Sequence, residues 1–231
     1  EPLKEIGDAA ALEHDAAAGS LGGVRGEDGG DAGAAEEVVG LGGGGSGLAE
    51  AAKGSAQVAA LGGDFWGRLY YKIKTPTPLP TGRLIHATFV DGKGISPLAN
   101  DLIDVRLATL LFYPNGDYGW FYNVQPPNGR KEFGPKSATM HKFNDEWTLL
   151  EWHADAATQT YQFFVNGKEV ADIGQHKGAG NYEGIEIPAA FQTLSIGFTN
   201  YQPATGEGFT VWIDDIAVGK ERLGPVRGAR K

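Results

Sequence analysis

"FTVWIDDIAVG" (residues 209–219) reads as a β-strand. Phe209, Val211 and Ile213 alternate with Thr210 and Trp212, the period of two expected of a strand with one covered face. Asp214 and Asp215 interrupt the pattern before Ile216 and Val218 resume it. Neighbours on a strand point to opposite faces, so one of the two carboxylates is directed toward a packed side. A bare charge there is costly. One resolution is a β-bulge at the pair, with the carboxylates capping nearby backbone N–H groups.

The sequence leading to this strand has the same character. "FWGRLYYKIK" sets Phe65, Leu69, Tyr71 and Ile73 on one face and Trp66, Arg68, Tyr70 and Lys72 on the other. "TPTPLPTG" is a loop, because each proline removes a ladder donor. "RLIHATFV", "IDVRLATLLFY", "YGWFYNV" and "EWTLLEWHAD" are further strands, separated by turn signals such as "PNGD" and by the loop "QPPNGRKEFGP". "TYQFFVNGKEVADI" is a hairpin with Asn166-Gly167 at its tip, a pair that accepts positive φ. "QTLSIGFTNY" precedes the last strand. Eight or nine strands, without a long helix or a repeat, predict an all-β sandwich or jelly roll.

The first 62 residues differ. Residues 1–63 hold none of the 24 aromatic residues, and half are Gly or Ala. Glycine is entropically costly to order and alanine buries little surface, so a low-complexity, largely unstructured acidic extension is expected. It would leave an open sheet edge beside it. The expected organisation is the extension (1–62), a β-jelly-roll domain (63–224) and a short basic tail (225–231). Residues 1–64 carry 3 Lys+Arg against 12 Asp+Glu, while the remainder carries 17 of each, so the net charge of −9 belongs to the extension. A balanced domain without a basic stripe does not read as a nucleic-acid binder. No apolar run is long enough for a membrane-spanning helix. With no cysteine, thiol chemistry and disulfides are excluded. Glu1 opens without a signal-peptide pattern, which reads as a processed chain.

"GDFWGRLYYKIKTP", "DEWTLLEWHAD" running into "FFVNGKEV", "LSIGFTNYQ" and the closing "VWIDDIAVG" together resemble the family of the fungal cellulose-induced secreted protein and its bacterial relatives. The resemblance spans about residues 63–224. It implies a concanavalin-A-like jelly roll of two curved antiparallel sheets, related in fold to glucuronan and alginate lyases, with a groove on the concave sheet. It also implies a secreted monomer whose partner is a polysaccharide. A calcium ion joining the last strand to the N-terminal segment is part of the same pattern, with Asp215 rather than Asp214 as the ligand. Calcium takes several oxygen ligands. The strands that supply the others are not evident in residues 1–62.

In the lyases, the reaction is β-elimination on a uronic-acid chain. It needs a cation or donor at the sugar carboxylate, a base for the neighbouring proton and an acid for the leaving oxygen. By resemblance, His86 in "RLIHATFV" is the strand histidine, although Ile85 precedes it where the alginate lyases have a polar pattern. Tyr201 and Gln202 in "TNYQP" correspond to the groove tyrosine and its glutamine. Arg68 and Arg106 are the candidates for holding the carboxylate, since a guanidinium binds it bidentately. A second reading is a non-catalytic polysaccharide-binding domain, for which Trp66, Tyr70, Trp120 and Tyr122 offer flat faces for sugar stacking. Trp120 and Tyr122 share a face. Trp147, Trp152 and Trp212 read as core, and Glu151 and His153 as hydrogen-bonded sheet residues. A purely structural sandwich is the third reading. Retaining-glycosidase chemistry is set aside, because "LLEWHAD" offers Glu151 and Asp155 without the third carboxylate of that motif.

Overall fold

In β2 (Asp64–Ile73), exposure alternates residue by residue, with Phe65, Leu69, Tyr71 and Ile73 buried and Trp66, Arg68 and Tyr70 half-buried. This strand lies at the middle of a six-stranded sheet. The computed structural model describes residues 36–41, 62–178, 186–206 and 208–226, with the backbone alone described for 36–41. Among the described residues, the six-stranded antiparallel sheet contains β1 (Glu36–Leu41), β11 (Gly208–Gly219), β2, β7 (Thr148–Asp155), β8 (Thr160–Val165) and β9 (Lys168–Glu169), in that order. The second sheet has the order β10 (Phe191–Asn200), β3 (Ile85–Ile95), β4 (Leu102–Phe112), β5 (Asp117–Gln125), β6 (His141–Lys142). All pairings are antiparallel, and the architecture is a β-jelly roll. No described helix is long and apolar enough to cross a membrane.

The two sheets face each other across one apolar layer. Phe65, Leu69 and Ile73 come from β2, Leu150 and Trp152 from β7, and Tyr161 and Phe163 from β8. They meet Phe89, Val105, Leu107, Trp120 and Tyr122 of the other sheet. Three buried phenols find partners: Tyr161 donates to the Leu107 carbonyl (2.7 Å), and the Tyr71 and Tyr118 hydroxyls share a hydrogen bond (3.0 Å). Asn166 and Gly167 both have positive φ at the β8–β9 tip, as their dipeptide requires.

Two elements run differently from the sequence reading. β3 continues past Val90 through "DGKGI", because Gly92 and Gly94 leave room for Phe191 and Pro188. A Cβ on Gly92 would stand 2.5 Å from the Phe191 ring. The acidic extension also contributes a strand. β1 pairs with β11 from Glu36↔Ile213 to Leu41↔Gly208, so the edge expected to be open is occupied. "EEVVGL" contains the adjacent β-branched pair Val38-Val39, suited to an extended backbone. The rest of the expected unstructured segment, and most of the basic tail, lie outside the described residues.

The carboxylate pair of the last strand resolves as a bulge. The β11–β2 register shifts between Asp214 and Ala217, and Asp215 has φ 51°. Asp214 is buried, and its Oδ1 accepts the Asp215 N–H at 2.8 Å. Asp214 therefore caps the backbone donor that the bulge takes out of the ladder.

Candidate functional site

The exposed side of the five-stranded sheet carries a polar pocket. His86 is the second residue of β3, and Tyr201 and Gln202 directly follow β10, its neighbour. The Tyr201 N–H donates to the His86 carbonyl (3.0 Å), and the His86 N–H donates to Gln202 Oε1 (2.5 Å). Asn200 holds the turn by donating to the Gln202 carbonyl (3.1 Å). Arg106, on β4, is only 7% exposed. Its guanidinium carbon lies 4.3 Å from the Tyr201 ring centre, and Nη2 donates to Gln125 Oε1 (2.7 Å). Glu132, from the loop after β5, is held by Asn123 Nδ2 (2.5 Å). His86, Arg106, Gln125, Glu132, Tyr201 and Gln202 line a cavity of about 170 Å³. Tyr201 is 40% exposed, so its phenol is reachable from solvent.

The floor is not fully satisfied by protein. Arg106 Nε, Asn123 Oδ1 and Asp104 Oδ1 are buried without a hydrogen-bond partner among the described residues. These residues lie on adjoining strands. The register aligns Asp91, Arg106 and Asn123 in one row across β3, β4 and β5, and Lys93, Asp104 and Gln125 in the next. Buried polar atoms are ordinarily paired, so their grouping on one face is unusual.

Burial sets the protonation states. It is the largest influence on His86 and lowers its pKa; Arg106 and Lys136 lower it further, against a hydrogen bond to Gln202 and the charge of Glu132. His86 is therefore neutral at pH 7 and able to accept a proton. Burial also raises the Tyr201 pKa, opposed by Arg106 and a Thr88 hydrogen bond and reinforced by Asp91 and Asp104. Tyr201 stays protonated and able to donate.

His86, Arg106, Tyr201 and Gln202 thus meet at one pocket. The remaining candidates do not. Arg68 lies on the outer side of the six-stranded sheet, where Nη1 donates to the Gly224 carbonyl (3.1 Å) and Nε to that of Asp215 (3.4 Å). There it fastens the chain that follows β11. Trp66 and Tyr70 share that outer face. Trp66 stacks on His153 at 4.4 Å, and Arg222 lies 5.7 Å away. Trp120 and Tyr122 share a face, as expected, but it is the inner one. Both are 0% exposed, with Tyr122 stacked on Tyr161 at 4.0 Å and Trp120 against Phe163 at 4.8 Å. Neither is open to a sugar ring. Trp152 is core, whereas Trp147 and Trp212 are half-buried beside Lys72, whose Nζ lies 4.6 Å from the Trp212 ring. Glu151 and His153 are hydrogen-bonded sheet residues: Arg222 and Gly224 N–H donate to Glu151, and His153 contacts Gln162 and Asp64.

Gln125, Glu132, Asn123, Asp91 and Asp104 were not singled out by the sequence reading. The signal available for some of them was spacing. "IDVR" sets Asp104 and Arg106 two apart, and "NVQ" does the same for Asn123 and Gln125, so each pair shares a face. Glu132 comes from a loop, where alternation has no meaning.

Among the described residues, no three His, Asp or Glu side chains converge around Asp215, and its carbonyl accepts from the Arg68 guanidinium. Calcium also takes carbonyl oxygens, so the ion that the resemblance implies remains a proposal for this bulge.

No family model matches the sequence, and no curated protein matches it. Among solved structures, a cellulose-induced protein, Cip1, aligns over 71% of this chain and 71% of its own at 15% identity and TM-score 0.45. The Ruminococcus gnavus IT-sialidase CBM40 bound to α2,3-sialyllactose aligns over 82% and 92% at 15% identity and TM-score 0.46. The marine PL7 alginate lyase AlyA1 from Zobellia galactanivorans aligns over 68% and 61% at 11% identity and TM-score 0.42. These are likenesses of fold. At such identities and scores they carry no argument about activity.

Proposed function

We propose that the pocket on the five-stranded sheet binds a uronic-acid unit of an extracellular acidic polysaccharide and cleaves the chain by β-elimination. What carries the reading is the meeting of His86, Tyr201 and Arg106 at one cavity, the first neutral and the second protonated. The Arg106 guanidinium, with Gln125 and Gln202 beside it, holds the sugar carboxylate and stabilises the charge that builds there as the adjacent C–H bond breaks. His86 takes that proton. The electron pair forms the new C=C bond and expels the glycosidic oxygen, which receives the Tyr201 proton. The products are one chain with an unsaturated end and one with a free hydroxyl. No step passes through a metal.

A non-catalytic glycan-binding groove is the second reading. Glu132 favours it, because a carboxylate on the pocket wall repels a uronate. The deciding experiment incubates the protein with glucuronan, alginate, pectate and neutral glucans and follows the ultraviolet absorbance of the conjugated double bond. Absorbance growth on a polyuronate supports elimination. Retention on a glycan without absorbance change supports the binding groove.

A further inference from the structure

Glu132 lines the pocket and has no part in the chemistry above. It is exposed and comes from the loop after β5, yet it is held in place. The buried Asn123 amide donates to its Oε1 (2.5 Å) and to the Phe133 carbonyl (3.0 Å). On one side of Glu132, Phe133 exchanges two backbone hydrogen bonds with Val124 (2.9 and 3.1 Å). On the other, Arg130 forms ion pairs with Asp101 (2.6 Å) and Glu186 (2.8 Å). Capturing a free surface side chain weakens a complex by the entropy of ordering it. Much of that ordering is already done here before a ligand arrives.

The other groups of the pocket do not duplicate what Glu132 offers. Gln125 Oε1 is taken by Arg106 and Gln202 Oε1 by the His86 N–H, so each glutamine is left with its amide donors. Arg106 only donates. His86 is committed to the proton next to the carboxylate and Tyr201 to the leaving oxygen. Among the described lining residues, Glu132 is the one carboxylate, and no ion pair joins it to Arg106. Both charges are therefore available to one ligand. A uronate whose carboxylate lies on Arg106 keeps that charge away from Glu132 and has ring hydroxyls to donate. An acylated hydroxyl has no proton to give, and its added bulk must fit a cavity of about 170 Å³. A site built to hydrogen-bond a hydroxyl rejects an analogue without one, because its own polar group is left unpaired.

We propose that Glu132 is a specificity-determining residue, accepting a hydrogen bond from a free ring hydroxyl of the uronate held at Arg106, so that the pocket takes units without an O-acyl group. This rests on the reading of the pocket as a uronate site. It deepens that reading by naming the substrate as de-O-acylated polyuronate. Where the polymer is O-acetylated, a hydrolysis in which water splits the ester into the hydroxyl and acetate must come first.

Affinity electrophoresis tests it, with gels holding O-acetylated glucuronan or alginate, or the same preparations after mild alkali has removed the acetyl esters. The wild-type protein is expected to bind the deacetylated polymer at least about tenfold more tightly, the worth of one hydrogen bond to a charged group. Glu132→Ala is expected to weaken binding of the deacetylated polymer about tenfold and to close most of the gap. Glu132→Gln keeps an acceptor oxygen and is expected to fall between the two. Arg106→Gln is expected to weaken binding of both polymers. Near-ultraviolet circular dichroism checks that each variant is folded, and the wild-type comparison stands without them. Equal binding of the two polymers by the wild type, with loss in Arg106→Gln, overturns the inference and leaves the pocket reading intact. A gap that Glu132→Ala leaves undiminished assigns the discrimination to crowding and also overturns it. Binding to neither polymer, or binding that Arg106→Gln does not change, overturns both.

Discussion

His86 and Tyr201 are joined by a backbone hydrogen bond, yet their proposed roles rest on opposite protonation states. His86→Ala is expected to lower turnover on the cleaved polymer by about 10²–10⁴-fold while leaving polymer retention within about twofold, since Arg106 remains in place. Tyr201→Phe should behave alike, because it removes the proton and keeps the ring over Arg106. Steady-state rates alongside gel retention check both. A shared loss of binding would return the two residues to structural roles. The pH profile follows from His86: its pKa is lowered by burial, so the acidic limb of kcat/KM should lie below the ordinary histidine value of 6.5. Asp91 provides a stability test. Burial and Asp104 raise its pKa to about 6 from 3.8, against Lys93 and Arg106. A folded-state pKa above the unfolded one means stability fully present below 3.8 and lost as pH rises through about 6. Asp91→Asn should therefore raise Tm at pH 7–8, by roughly 1–3 kcal/mol of stability, with little change at pH 4. Thermal melts across pH measure it.

At the scale of elements, the six-stranded sheet is covered on its outer side by the chain leaving β11. Arg222 donates twice to the buried Glu151 (3.1 and 2.9 Å), and Gly224 N–H adds a third bond (3.1 Å). Arg68 completes the attachment at the Gly224 carbonyl. Arg222→Ala leaves a buried carboxylate without its cation and should destabilise the fold by about 2–4 kcal/mol, less than a fully enclosed pair because the arginine is partly exposed. Denaturant unfolding should show it, with the elimination rate at low temperature unchanged, because this face lies across the core from the pocket. In β2, Gly67 faces Trp152 so closely that an added Cβ would lie 2.1 Å from its ring. Gly67→Ala should destabilise by about 2 kcal/mol or more.

For the whole molecule, the bulge at Asp214–Asp215 is capped by an Asp214 side-chain oxygen on the Asp215 N–H. If calcium binds there as the resemblance implies, added calcium raises Tm, a chelator reverses the rise and Asp215→Asn abolishes it. A Tm that neither calcium nor chelator moves removes the ion from this reading.

Apart from β1 and the two-residue β6, the strands were legible in the sequence, as were the Asn166-Gly167 tip and the all-β class, because alternation and turn chemistry are local. So were the residue types of the pocket, since His86, Arg106, Tyr201 and Gln202 are polar groups on or just after strands. Which face each strand turns inward was not legible wherever both faces carry large side chains. "YGWFYNV" has aromatics on each, and only the packing of the second sheet put Trp120 and Tyr122 in the core and left Asn123 and Gln125 outside. The same holds for the arginines. Arg68 and Arg106 are equivalent in sequence, each mid-strand and flanked by apolar residues. Sheet order separates them, placing one under the tail beyond β11 and the other beneath Tyr201. Local periodicity determined that there are two faces. Which of them is covered depends on the partner sheet, a contact between residues distant in sequence, and tertiary structure alone decided it.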